Sequence, residues 1–244
     1  DGTPTHSYMK CLYKYPQAEY PYAKLIEENQ KLTNRDKEYE LIDTGIFSEN
    51  RYFDIFIEYA KVSSEDICVK IEAFNRGPDE APLHIIPHLW FRNTWDWGDE
   101  IQPKPIITYE KEREDICLIA DDSNVISPEN LMFDYHLGKR YFYGSSEGKA
   151  LFTDNENEIS SNDTSPLSIK KYYKNGFHKS IIHQEPTVNP NEEGTKACID
   201  YFKKIPAGQS VTLYFRLSDT QLNHPLADVE NIIAQKKREA DDFF

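Results

Sequence analysis

Two consecutive runs of alternating residues constrain this chain more than any other feature. From Arg51 to Val62, Phe53, Ile55, Ile57 and Tyr59 fall on one face, and Asp54, Phe56 and Glu58 on the other. From Ile67 to Asn75, Ile67, Val69, Ile71 and Ala73 oppose Cys68, Lys70, Glu72 and Phe74. A period of two sustained over both runs belongs to strands, not helices, because successive side chains of a strand point to opposite faces. The short link between them predicts antiparallel neighbours.

The turn residues Asn75-Arg76-Gly77-Pro78-Asp79 lead into a third run, and 51–62, 66–75 and 82–93 read as an antiparallel meander. Further strands are expected near 106–111, 116–120, 130–136, 140–145, 149–153, 195–204 and 210–218. Gly138-Lys139 predicts a tight hairpin, and Pro206-Ala207-Gly208-Gln209 joins the last two strands. Residues 1–20 lack a clean period, and 154–193 form a long polar connection broken by KYYKNGFHKSIIH. A short helix starts at Pro21. A second begins near Pro225, with Leu226, Val229, Ile233, Ala240 and Phe244 as its apolar stripe. Strands without alternating helices exclude a doubly wound fold or a TIM barrel. The expected architecture is mainly β: one large two-sheet antiparallel β-sandwich over 1–244, with a short helix near the N-terminus and one at the C-terminus.

Charge narrows the partners. Forty-two acids against 28 bases leave a net charge of −14, which speaks against nucleic acid and against anionic lipid. A neutral ligand such as a sugar meets no such objection; equally, the acids serve solubility alone. No stretch approaches the roughly 18 uninterrupted apolar residues of a spanning helix, so no membrane association is expected. Cys11, Cys68, Cys117 and Cys198 are far apart and form no CxxC, which points to reduced structural thiols in a reducing, cytoplasmic compartment. Phosphate-cradling glycine loops and a GxSxG elbow are absent, and no cofactor is expected. Both ends of the sequence read as cut, so the expectation is a domain excised from a longer polypeptide.

Three places hold the residue types that chemistry needs. His84 and His88 lie four apart on one strand face; with a third ligand such as His178 or His183 they suit a metal, and without one they suit acid–base work or are two satisfied histidines beneath a loop. All three tryptophans fall within the segment from Trp90 to Trp97, with Arg92, Asn93 and Asp96 between them. Aromatic faces with planar polar neighbours stack and hydrogen-bond sugars; the other reading is an aromatic plug against a second domain. The third place, a carboxylate pair, is not assignable among 42 acids.

Taken in order, THSYMKCLYKYPQAEYPY, DTGIFSENRYFDIFIEYAK, NRGPDEAPLHIIPHLWFRNTWDWG, NGFHKSIIH and VNPNEEGTKACIDY resemble the N-terminal part of glycoside hydrolase family 63-like proteins, relatives of the processing α-glucosidases. The NRGP block through the tryptophans is the most specific part, and 98–170 the least. The resemblance implies a mutarotase-like β-supersandwich that precedes a helical (α/α)6 barrel, with hydrolysis of α-glycosidic bonds by inversion. The catalytic Asp and Glu of such a protein belong to the barrel and match no positions here, so this chain alone is expected to be inactive. By the same resemblance, Arg92, Asn93, Trp95, Asp96 and Trp97 face the barrel or the rim of an oligosaccharide site, and Tyr13 and Tyr15 belong to the same interdomain surface. Parted from the barrel, the sandwich is expected to self-associate through that apolar face. Two alternatives stand beside this reading: a free-standing carbohydrate-binding module built on the tryptophan loop, and a mutarotase-like epimerase using His84 or His88 with a glutamate.

Overall fold

A computed structural model of the chain describes residues 1–96, 102–126, 136–158 and 172–244. The described residues form two antiparallel sheets. The larger contains β1 (Tyr8–Pro16), β2 (Tyr52–Ser63), β3 (Asp66–Asn75), β6 (Ile106–Glu110), β7 (Ile116–Asp121), β8 (Lys139–Gly144), β10 (Glu193–Gly194) and β12 (Ser210–Ser218), in the order β1-β2-β3-β12-β8-β7-β6-β10. The smaller is built around β11 (Lys196–Ile205). On one side of it lie β4 (Ala81–Ile85) and β5 (His88–Trp90), and on the other β9 (Lys149–Thr153). The mainly-β sandwich expected from the alternation is what the chain forms.

Period-two patterning fills the space between the sheets. Phe53, Ile71, Ala73, Leu213, Phe215, Phe142, Leu118 and Ile107 come from the large sheet, and Leu83, Ile85, Ile199 and Tyr201 from the small one; together they make the main core. The outer face of the large sheet carries the C-terminal helix α3 (Val229–Phe243), seated on Tyr8, Ala60 and Cys68 through Val229, Ile233 and Ala240. Ala60 and Cys68 are fully buried and small, which lets the helix approach the sheet closely. Buried Arg216 holds the start of that helix: it donates to both carboxylate oxygens of Asp66 (2.8 and 2.7 Å), to Asp228 Oδ1 (2.9 Å) and to the Pro225 carbonyl (3.2 Å). A bidentate arginine of this kind fixes geometry as well as energy. Phe244, counted in the apolar stripe, instead points to solvent.

The structure corrects the meander. β2 and β3 pair as expected, but the far side of β3 pairs with β12 and the chain from 81 onward crosses to the other sheet. The crossing is made by the NRGP turn. Buried Asn75 donates to the carbonyls of Asp79 and Ile205 (both 2.8 Å), while its Oδ1 accepts from the Gly77 amide (2.8 Å) and the Gln17 side chain (2.6 Å). All its side-chain hydrogen-bonding capacity is used. A Cβ on Gly77 would lie 2.7 Å from Gln17 Oε1 and 3.1 Å from Asn75 Oδ1, so a larger residue there would push the Gln17 side chain aside. Arg76 closes the corner with an ion pair to Asp54 (2.7 Å) and its guanidinium over Phe74.

The run expected at 82–93 is two strands, interrupted at Ile86-Pro87; proline lacks the ladder donor. Residues 1–20 do contain a strand, β1, whose two faces are both mixed: Tyr8, Lys10, Leu12 and Lys14 on one, Met9, Cys11, Tyr13 and Tyr15 on the other. Inside the long polar connection lies an eight-residue helix, α2 (Gly176–His183), which buries Phe177 against Leu151 and Cys198 on the outer face of the small sheet. The short helix begun by Pro21 is α1 (Tyr22–Gln30). Residues 130–135 of the strand expected at 130–136, and 159–171 of the 154–193 connection, lie outside the described residues.

Asn75→Ala should lower stability by about 2–4 kcal/mol, since it strips partners from buried groups in a connected network; a urea midpoint within error of the parent would contradict this. Cys68, Cys117 and Cys198 are buried free thiols and Cys11 is exposed. Burial pushes Cys68 and Cys117 up to about 12. A thiol reagent at pH 8 should therefore titrate Cys11 alone in the native chain and all four cysteines in denaturant.

Candidate functional site

The tryptophan segment leaves β5 and turns back toward the chain that follows β9. Trp95 is buried and donates its indole N–H to Glu156 Oε1 at 3.1 Å; Lys104 pairs with the same carboxylate. Asn93 donates to Asp96 Oδ2 (2.7 Å) and to the Asn155 carbonyl (3.1 Å), and Asn155 returns a bond to the Phe91 carbonyl (2.9 Å). The two loops are thus stitched side chain to backbone. Arg92 and Asp96 are exposed. In this arrangement Trp95 is a plug: its ring face is enclosed and its N–H is used. Trp90 stands out in solvent at 56 % exposure. Trp97 lies outside the described residues.

Beneath this loop, Asp154 accepts from the Thr195 backbone and hydroxyl (3.3 and 3.4 Å). Burial, then the Glu156 charge, raise its carboxyl above the usual range despite Lys104 and the Thr195 bonds. Sequence reasoning missed this Asp154–Glu156 pair. Their i, i+2 spacing just beyond a strand was the available signal, and it was hidden in an acid-rich polar run.

The two candidate histidines border one groove from separate strands. His84 sits on β4 with Nδ1 2.7 Å from Asp200 Oδ1 and its ring 4.8 Å from that of Phe202. His88 opens β5, beyond the Ile86-Pro87 break, with its ring edge-on to Phe177 at 5.4 Å. Loss of water along that packed edge, then the Lys196 ammonium, lower the His88 pKa, although the residue's outer surface is open. His178 faces the same groove of about 420 Å³ as both rings, and the His183 ring lies 6.1 Å from that of His178. Among the described residues, no three His, Cys, Asp or Glu side chains come together as a metal site.

Tyr13 and Tyr15 lie on β1, outside the tryptophan segment. They line an open cleft of about 630 Å³ between the sheets, with Ile55, Ile57, Val69 and Leu217 from the large sheet and the β4–β5 edge opposite. Among the described residues the small sheet covers only part of the inner face of β1 and β2: Phe53 is in the core, and Ile55 and Ile57 are half-buried. Tyr13 and Tyr15 are 55 % and 45 % exposed. The lining is almost wholly apolar, which suits an apolar protein surface; a sugar pocket needs convergent polar groups.

No family model matches the chain. Along its whole length it is 32 % identical to a protein of Saccharomyces cerevisiae named as uncharacterized protein YMR196W, and it spans a quarter (25 %) of that protein's length. No helix among the described residues is long and apolar enough to cross a membrane.

A carboxyl held above its ordinary range contributes stability while protonated. That contribution is complete below the unfolded value, about pH 4, and is lost as pH rises through the folded value. Asp154→Asn keeps an oxygen for Thr195 and removes the charge. It should raise the urea midpoint at pH 7 and leave it unchanged near pH 3.5; a fall in the midpoint at pH 7 would contradict this assignment.

Proposed function

We propose that the chain is the non-catalytic β-sandwich domain of a longer α-glycosidase-like polypeptide, bracing an (α/α)6 catalytic barrel whose substrate is an α-glucoside or oligosaccharide. The observation that carries the reading is the open apolar cleft under Tyr13 and Tyr15. Three things support it: the sandwich fold, the family 63-like resemblance of the NRGP-to-tryptophan block, and a relative four times as long as the matched region. In this reading the cleft seats the rest of the polypeptide. The plugged Trp95 holds the loop that carries Arg92, Asn93 and Asp96 toward the rim of the sugar site. The buried free thiols fit a reducing, cytoplasmic compartment.

The test is a charge placed in the cleft. Tyr13 is exposed in this chain, so Tyr13→Asp should change the stability of the 244-residue chain by less than about 0.5 kcal/mol. In the longer polypeptide the same change should lower hydrolysis of α-glucosides by roughly tenfold or more, the scale expected when a buried apolar contact receives an unpaired charge. Unchanged hydrolysis would overturn the docking role. Measurable sugar affinity of the 244-residue chain alone would favour a free-standing carbohydrate-binding module instead.

A further inference from the structure

The cleft has a second component that a purely apolar docking surface would not need. In an antiparallel ladder, alternate residues turn their N–H and C=O toward one neighbour, and those between turn them the other way. Along β1, odd-numbered positions face β2: the Ser7 carbonyl accepts from the Lys61 amide, and the Gln17 amide, just past the strand, donates to the Arg51 carbonyl. Even-numbered positions face outward. The Tyr8 carbonyl accepts from the Thr3 amide, and Lys10 exchanges bonds with Asp1, so residues 1–3 cover the start of the outer edge. Within residues 1–244 the described cover reaches Lys10. Leu12 and Lys14 come next in the alternation, and among the described residues no backbone bond reaches their outward groups.

The same stretch borders the cleft. Register places Cys11, Tyr13 and Tyr15 opposite Ile57, Ile55 and Phe53, on the inner face, while Lys10 and Lys14 lie with Phe56 and Asp54 on the outer face. A short free edge and an apolar cleft therefore meet along residues 11–15. An exposed edge is a template for another strand, and a strand added there sends alternate side chains to the inner face.

We infer that residues 11–15 are a strand-addition seat for an extended segment, with apolar residues at alternate positions, from the part of the longer polypeptide outside residues 1–244. This rests on the reading that the chain is one domain of a longer polypeptide. Its backbone bonds to Leu12 and Lys14, and its alternate side chains fill the cleft. A second copy of this chain fits less well. Two β1 edges paired about a two-fold axis place both inner faces on the same side, so the two open clefts lie next to each other and neither is filled.

Residue-resolved hydrogen exchange on the longer polypeptide tests this, with the odd-numbered amides as internal controls. The amides of Cys11, Tyr13 and Tyr15 are protected by β2 in any case. The inference requires protection of the Leu12 and Lys14 amides on the order of 100-fold over free-chain rates, as in other paired strands. Leu12→Pro removes only an outward donor, so it should abolish protection at Lys14 while leaving the controls slow. Hydroxyl-radical labelling of Tyr13 and Tyr15 on the same sample separates the two claims. Shielded tyrosines with fast Leu12 and Lys14 amides would overturn strand addition and leave domain docking standing. Fully labelled tyrosines would overturn both. Protection that disappears on dilution, with a fall in mass from dimer to monomer, would assign the edge to a second copy and overturn the inference.

Discussion

The side-chain amide of Asn75 joins the ends of three segments that otherwise diverge. It bonds the end of β11 in the small sheet, the turn at Gly77 to Asp79, and Gln17 just past β1. Its own backbone bonds Gln209 and Gly208 in the turn before β12. The two sheets are thus pinned at one corner by a group with no exposure and no spare hydrogen-bonding capacity. A buried amide satisfied this fully specifies one arrangement, because any slip of register leaves at least one polar group unpaired in a dry site. The NRGP block is the most distinctive part of the sequence, and its role in the fold is to make this crossing.

From the corner, the asymmetry of the sandwich follows. Among the described residues eight strands face four, and none of the four lies opposite the far end of β1 and β2. The outer face of that end is covered by α3, with Arg216 and its carboxylates as the anchor. The inner face is left as the apolar cleft. One end of the sheet is therefore closed on its polar-patterned side and open on its apolar side, the reverse of what a solitary sandwich needs in water. This contrast makes docking the reading that accounts for Tyr13, Tyr15, Ile55 and Ile57 together.

The sandwich was legible where alternation was clean. Arg51 to Asn75 and Ser210 to Ser218 form the strands their patterns predict, because one face is core and the other is not. The partner of β3 was not legible: whether the strand after a turn stays in the same sheet depends on bonds from Asn75 to residues 130 positions away. β1 escaped notice because both its faces are half apolar, one toward a cleft and one toward α3. At the candidate site, the aromatic cluster was visible, but its state was not. Trp95 reads as a sugar platform or a plug until Glu156 takes its N–H, and Glu156 sits 61 residues away in an acid-rich run. The histidines share a face on paper and still border one groove, but the break at Ile86-Pro87 puts them on separate strands.

The most direct measurement is the mass of the native protein in its source cells, by immunoblot with an antibody raised against this domain. A band several times heavier than 28.5 kDa is expected, since the open cleft is the proposed seat of further polypeptide. A native band near 28.5 kDa would contradict it, leaving the cleft without its occupant and hydrolysis without a barrel.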